Sequence, residues 1–274
     1  PYGEVIPKTA DEFASLLHKI LESIDYGEEY IIGEGAAMAD LECYSDNVEG
    51  NLTLYPDGNT RPVYVGAQMS SKPVIYERLY STIRDCNIVL DNMTERDTRL
   101  GKDVLGTAYA LRGICYYNLL RNFCEPPVGN MTGLGVPIVT VFDMEAKPVR
   151  SSIAKTFELA ESDMKNAISY GIEDEIFRFN SDVMEAYLAR LYFWVGDWSN
   201  AELYAGKVLS KHPLISGQEY LDMMTSVVTP RGNMLLKSRI YSDSSTERIY
   251  NTAFVTVATA PISKRFVDLF HEKE

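Results

Sequence analysis

The chain has 274 residues, 46% of them hydrophobic and 24% charged, ordinary proportions for one large globular domain or two small ones. Its formal net charge of -13 repels a phosphate backbone and argues against nucleic acid as a partner. No run of ~18 or more apolar residues occurs, so the sequence contains no membrane-spanning helix.

At this length roughly 70–75% of the unfolded surface can be buried, so a core forms without disulfide or metal. The four cysteines, Cys43, Cys86, Cys115 and Cys124, make no CxxC pair. Cys86 and Cys115 fall inside helical patterns and read as small buried residues; an even count permits two disulfides without requiring them. Tyrosine is abundant, with 18 residues against 10 Phe and 2 Trp. Most are expected at core edges. A cluster of Tyr in exposed loops would instead suit the apolar face of a sugar, because each ring is flat and carries a polar tip. The chain opens at Pro1 with neither Met nor a signal-like segment, as expected of a trimmed or shortened chain.

The first predicted helix has Thr9 as N-cap and Glu12 three residues on, the spacing of a capping box. Phe13, Leu16, Leu17, Ile20, Leu21 and Ile24 then recur at helical spacing, and Gly27 closes the element. From about Tyr30 to Pro73 the period fades among Gly33, Gly35, Gly50, Pro56, Gly58 and Pro62, which predicts a long loop region with a small hairpin around Tyr55 to Asn59. Long irregular segments in compact domains are usually functional.

Helical spacing returns over Val74 to Met93, with Ile75, Leu79, Ile83, Cys86 and Leu90 on one face. It continues from about Asp103 to Phe123, carried by Leu105, Ala108, Leu111, Cys115, Tyr116, Leu119 and Leu120. Pro126, Pro127, Gly129, Gly133, Gly135 and Pro137 then mark a second long connection, ending near Arg150. Ser151 or Ser152 caps the next helix, whose inward residues are Phe157, Ala160, Met164, Ala167 and Ile168, and Gly171 ends it. A helix from Ser181 to Val195, a turn at Gly196 and Asp197, and a helix from Ser199 to Lys211 complete the run.

These helices read as antiparallel pairs joined by short turns, the signature of a helical repeat. The last pair fits the tetratricopeptide pattern. Leu188 and Ala189, Tyr192, Gly196, Ala201 and Pro213 take its Leu and small residue, aromatic, turn, crossing and closing positions, while Ala205 and Val208 replace the usual Phe and Ala. Small residues at Ala189 and Ala201 let two helices approach, and Tyr192 fills the gap one turn on. From Gln218 to Ala260 the helical period is lost. Met234 to Leu236 and Phe254 to Val257 read as short strands between turns. Pro261 stands where a helix favours its first residue, followed by Phe266, Leu269 and Phe270.

Chemistry-bearing patterns are scarce. There is no G-x-S-x-G elbow, and the three histidines, His18, His212 and His271, are scattered. No HExxH or Cys/His cluster offers a metal site, and no cofactor is expected. Asp40, Glu42, Asp46 and Glu49 form an acidic loop that reads as solvated surface or as a Ca²⁺ site, without matching an EF-hand. Gly33-Glu34-Gly35 lacks the further glycine and strand of a phosphate cradle. With 39 acidic residues, carboxylate pairs arise by chance, and none is singled out as a glycosidase pair.

The order of these segments resembles a known family. Val74 to Asn92, with Tyr80, Ile83, Asn87 and Leu90, is similar to its first long repeat helix. Ala108 to Pro126, with Arg112 after Ala110-Leu111 and Tyr116 to Phe123 leading into prolines, resembles its most recognisable segment. Gly135 to Ile138, then Ser152, Asp163, Ala167 and Ile168, then Arg178 with Ala186 to Trp198, and finally Pro261 to Phe270 follow in the family's order. The family is the SusD-like (RagB/SusD) group of surface glycan-binding lipoproteins, and the resemblance covers about residues 70–270.

The resemblance implies a mainly α fold: a tetratricopeptide-like scaffold at about 74–213, recognition loops at about 30–73 and 218–260, and a few short strands in one domain spanning 1–274. It implies non-catalytic capture of an oligosaccharide or polysaccharide at the cell surface, and delivery to a TonB-dependent, SusC-like transporter. Attachment to the outward face of the outer membrane would be by a lipid anchor. Two departures stand out. Family members usually continue beyond the proline-initiated helix, so the chain reads as a shortened or reduced member. A lipidated N-terminal Cys is not seen, Cys43 being too far inside.

The glycan-contact candidates are Tyr44, Asp46, Asn47, Tyr55 and Tyr64 in the first loop region and Tyr241, Asp243 and Tyr250 in the second. Tyr rings would stack on sugar faces while Asp and Asn orient hydroxyls. Trp194 and Trp198 read as packing residues beside the repeat turn, and Arg112 as a hydrogen-bonding residue of the scaffold. The alternatives are a protein-interaction scaffold without glycan binding, or a glycosidase.

Overall fold

The computed structural model of the protein describes residues 7–25, 53–54, 60–61, 72–143, 145–225, 235–236 and 264–270. Among them are eight helices and two small two-stranded sheets, so the chain is mainly helical as expected. Two compact units are distinguished, Pro1–Glu22 with Tyr76–Arg239 and Ser23–Ile75 with Ile240–Glu274.

Helix α1 spans Ala10–Asp25. Its capping box forms as the spacing predicts: the Glu12 amide donates to Thr9 Oγ1 (3.3 Å) and the Thr9 amide to Glu12 Oε2 (3.0 Å). The Lys8 amide, donating to Glu12 Oε2 at 2.8 Å, and then the Thr9 amide hold the Glu12 carboxyl below its ordinary range. Phe13, Leu17, Leu21 and Ile24 are buried. His18 stays on the exposed side and stacks on Phe177 at 5.3 Å.

Helix α2 runs Lys72–Asn92 and α3 runs Arg99–Phe123. The latter begins four residues before the predicted start. Thr98 is the reason, since its Oγ1 accepts from the Gly101 amide at 3.0 Å and supplies the N-cap that the Arg-Leu-Gly-Lys run conceals. Helix α3 is the most buried element of the scaffold, with residues on all its faces in the interior. Gly113 lets α4 (Ile153–Tyr170) lie against it, because an added methyl there would sit 3.1 Å from Met164 Cγ and 3.2 Å from Ala160 O. Cys86 and Cys115 are buried as read, and burial pushes the Cys86 thiol well above its ordinary range.

The second long connection is less irregular than expected. Residues Leu134–Pro137 (β3) and Arg150–Ser152 (β4) pair antiparallel across it, with Leu134 opposite Ser152 and Pro137 opposite Arg150. Arg150 holds the pair from its side chain, donating from Nε to Gly135 O (2.6 Å) and from a terminal nitrogen to Leu134 O (2.9 Å). Tyr80 donates to Pro137 O at 2.6 Å, and Tyr116 both donates to Val139 O and accepts from its amide. The proline-rich segment is thereby pinned to α2 and α3. Ser152 rather than Ser151 caps α4, accepting from the Lys155 amide at 3.2 Å, and Gly171 ends α4 with a left-handed φ of 61°.

Helix α5 (Ser181–Val195) and helix α6 (Trp198–Lys211) form the predicted hairpin. Tyr192 is buried, stacked on Tyr204 at 5.5 Å and edge-on to Phe157, which is the gap-filling role its repeat position requires. Burial pushes its phenol up to about 12, helped by a short hydrogen bond to Glu161.

The sequence reading fails at Gly217–Thr225 and at Leu235–Leu236. Residues predicted to lose helical period from Gln218 form a further helix, α7 (Gly217–Thr225), in which only one apolar side chain of those described, Met223, is buried. With Tyr220 and Leu221 exposed, no apolar stripe announces it. Leu235 and Leu236, predicted as strand, are in neither strand nor helix; the predicted strand at 254–257 lies outside the described residues.

In the second unit, Thr53–Leu54 (β1) and Thr60–Arg61 (β2) pair antiparallel, with Thr53 opposite Arg61 and Leu54 opposite Thr60. They bracket the turn predicted at Tyr55 to Asn59. A short helix, α8 (Lys264–Val267), follows three residues after Pro261.

Candidate functional site

The turn between α5 and α6 is two residues long and sets its neighbours side by side. Gly196 takes a left-handed φ of 80°, and Asp197 caps α6, accepting from the Asn200 amide at 3.1 Å and from Asn200 Nδ2 at 2.7 Å. These bonds hold the Asp197 carboxyl below its ordinary range. Because Tyr192 points into the scaffold, the next residue, Phe193, is rotated about 100° around the helix and faces solvent. Phe193 is 63% exposed and Trp198 59% exposed. Their rings meet edge to face at 5.2 Å and 76°, the geometry that aromatic quadrupoles favour.

Around this pair lies an open cleft of about 470 Å³, lined further by Tyr117, Ala189, Arg190, Trp194, Ala201, Glu202 and Ala205. Three alanines give it a floor without long side chains. The Arg190 guanidinium sits 5.7 Å from the Tyr117 ring centroid and 5.6 Å from that of Tyr187, cation–π contacts that orient the head group, while its N–H donors make no hydrogen bond among the described residues. Arg190 and Glu202 make no ion pair among the described residues. Trp194 lines the cleft with its Nε1 buried and, among the described residues, without a hydrogen-bond partner. Trp198, 59% exposed at the first position of α6, therefore departs from its reading as a packing residue.

Arg112 is a scaffold residue, as read. Its Nε and one terminal nitrogen donate to the two Asp163 oxygens at 2.7 and 2.8 Å, and the other donates to Asn87 Oδ1 at 2.7 Å. Asn87 passes the connection on to Val139 O at 3.0 Å. Burial raises the Asp163 pKa, and the Arg112 guanidinium works against that rise. The cluster is closed to solvent and presents nothing to a ligand.

The eight candidates Tyr44, Asp46, Asn47, Tyr55, Tyr64, Tyr241, Asp243 and Tyr250 lie outside the described residues, as does the acidic loop of Asp40, Glu42, Asp46 and Glu49. Among the described residues no group of three His, Cys, Asp or Glu side chains is placed to hold a metal ion, and no helix is long and apolar enough to cross a membrane. The cleft itself was missed by sequence reading. Its signal was two aromatics flanking Gly196-Asp197 on the side opposite Tyr192, which a helical wheel separates from the core.

Stacked helical hairpins, a polar network sealed inside and an aromatic cleft outside define a helical-repeat binding scaffold. A family profile described as starch-binding, associating with outer membrane, matches residues 14–193, and the chain belongs to this SusD-like family. No protein of curated function matches the sequence. The fold is similar to that of a SusD superfamily protein from Bacteroides thetaiotaomicron, at 20% identity and TM-score 0.69, over 95% of this chain and 61% of that one. It is also similar to a SusD-like carbohydrate binding protein from Bacteroides vulgatus, at 21% identity and TM-score 0.60, over 81% of this chain and 49% of that one. A laminarin binding SusD-like protein aligns at 18% identity and TM-score 0.53, over 77% of this chain and 46% of that one. The chain thus spans 46 to 61% of the length of these structures.

Proposed function

We propose that the protein captures an oligosaccharide or polysaccharide at the outward face of the outer membrane and passes it, unaltered, to a TonB-dependent SusC-like transporter. The observation that carries this reading is the match of residues 14–193 to a starch-binding, outer-membrane-associated family. The carbohydrate-binding and laminarin-binding relatives of like fold support it. Attachment is by a lipid anchor. Recognition falls to the segments about 30–73 and 218–260, where Tyr44, Tyr55, Tyr64, Tyr241 and Tyr250 supply stacking faces and Asp46, Asn47 and Asp243 orient hydroxyls.

Isothermal titration against a glycan panel that includes maltoheptaose and laminarihexaose tests it. Saturable heat with at least one glycan, abolished by Tyr44→Ala with Tyr55→Ala, and glycan recovered intact, is the expected result. A null across the panel, with transporter capture retained, would replace this reading by a pure interaction scaffold. That second reading has one observation of its own: only Ala201 is buried on α6, leaving Leu203 and Leu209 exposed.

A further inference from the structure

We propose that the cleft at the α5–α6 turn is a second carbohydrate subsite, carried by the helical scaffold. The inference rests on the carbohydrate reading above for its ligand class, and on the cleft for its place.

Three features select the ligand. The first is the corner formed by Phe193 and Trp198, each more than half exposed. An edge-to-face pair covers one ring face and leaves others open. An open indole or phenyl face attracts the weakly positive C–H side of a pyranose, by the same quadrupole that orients aromatic pairs. Second, the volume of about 470 Å³ lies within the ordinary ~300–1,000 Å³ of small-ligand sites. The floor of Ala189, Ala201 and Ala205 admits a ring without collision with long side chains.

The third feature is charge. Arg190 offers only donors and Glu202 only acceptors, and neither is neutralised by a protein partner among the described residues. An anionic ligand would meet Glu202 and a chain of net charge -13; a cationic one would meet Arg190. A neutral polyhydroxyl chain gives hydroxyl oxygens to Arg190 and hydroxyl hydrogens to Glu202. A docked protein helix does neither with its backbone, because its carbonyls and amides are spent on its own ladder, so it would have to match both charges with its side chains.

The chain has 2 tryptophans, and both line this cleft, so intrinsic indole emission reports on this place. The full chain is titrated with maltoheptaose, laminarihexaose and xylohexaose at up to millimolar concentration, following emission and heat in parallel. The expected result is a saturable change in emission with one of these glycans. Phe193→Ala weakens it about tenfold, and the loop double variant Tyr44→Ala/Tyr55→Ala leaves its midpoint unchanged. Trp198→Ala, read by heat, loses the same component. Phe193 and Trp198 are exposed, so these variants keep the fold, which circular dichroism verifies. Heat without an emission change overturns the subsite and leaves loop capture standing. An emission change insensitive to Phe193→Ala also overturns it. No response of either kind, or a dimer seen by light scattering that Phe193→Ala dissolves, replaces the sugar by protein contact on this face.

Discussion

Arg112 and Asp163 face each other across the α3–α4 interface in a two-point ion pair, with nitrogen–oxygen distances of 2.7 and 2.8 Å. Both side chains are almost wholly buried. Such a pair balances a large desolvation cost against strong attraction, so its removal is asymmetric. Asp163→Ala leaves a cation inside the core and is expected to cost about 3–5 kcal/mol. Arg112→Met combined with Asp163→Leu should recover most of that, short of about 1–3 kcal/mol for the orphaned Asn87 oxygen. Urea unfolding of the two variants checks it. Equal losses would mean that apolar packing does not replace the pair, whose attraction then exceeds its desolvation cost.

The α5–α6 hairpin is fastened at its open end by Asp182, which accepts from Lys211 at 2.6 Å and lies 2.8 Å from His212 Nε2. Glu185 shares Lys211 at 3.2 Å. The Lys211 bond, then that of His212, lowers the Asp182 pKa from its ordinary 3.8. A carboxyl lowered on folding adds stability above its unfolded value and loses it as pH falls through the folded value. The pair is partly exposed, so Asp182→Asn should cost only about 0.5–1 kcal/mol near neutral pH. That difference should begin to shrink as pH drops below about 4 and vanish once pH has fallen through the lowered folded value. Melting temperatures of both proteins across that range decide it. A gap that persists in acid would assign the effect to shape rather than charge.

Glycines separate two kinds of constraint. At Gly135 a methyl group would collide with Ser152 O and Thr156 Oγ1, so Gly135→Ala must push β3 from β4 and is expected to cost about 1–3 kcal/mol. At Gly171 nothing lies within reach of an added methyl, but φ is 61°. Gly171→Ala should therefore cost about 1–2 kcal/mol through backbone strain alone, and Gly171→Asn less, since Asn tolerates that conformation. For Gly135, Asn should be worse than Ala. Thermal denaturation of the four variants tests the inversion of order.

What was legible in the sequence follows from range. The Thr9–Glu12 box, the Gly171 and Gly196 stops and the Leu79–Ile83–Cys86–Leu90 stripe act over one or two helical turns, and the structure reproduces them. The Thr98 cap was hidden by Gly101, which reads as a breaker but here makes room for the Glu95 carbonyl beside it. Strands β3 and β4 are held by Arg150 reaching across 15 residues to Gly135, a distance at which no periodic signal survives. The aromatic cleft is a matter of exposure. Phe193 and Trp198 carry the same letters as core residues, and only the inward turn of Tyr192 settles which way they face.

Trp194 tests how the floor of that cleft is built. Its Nε1 is buried without an acceptor among the described residues, and an unpaired buried donor costs about 1–3 kcal/mol. Trp194→Phe removes the donor and some volume together. The gain offsets the cavity, so stability should change by less than about 1 kcal/mol, where a truncated core aromatic ordinarily costs several. The same variant leaves Trp198 as the sole indole, and indole emission should shift to the red, as for an indole in water. Trp198→Phe should shift it to the blue. A loss above about 2 kcal/mol in Trp194→Phe would mean that the indole nitrogen has found an acceptor, and a blue shift in that variant would mean that Trp198 is covered.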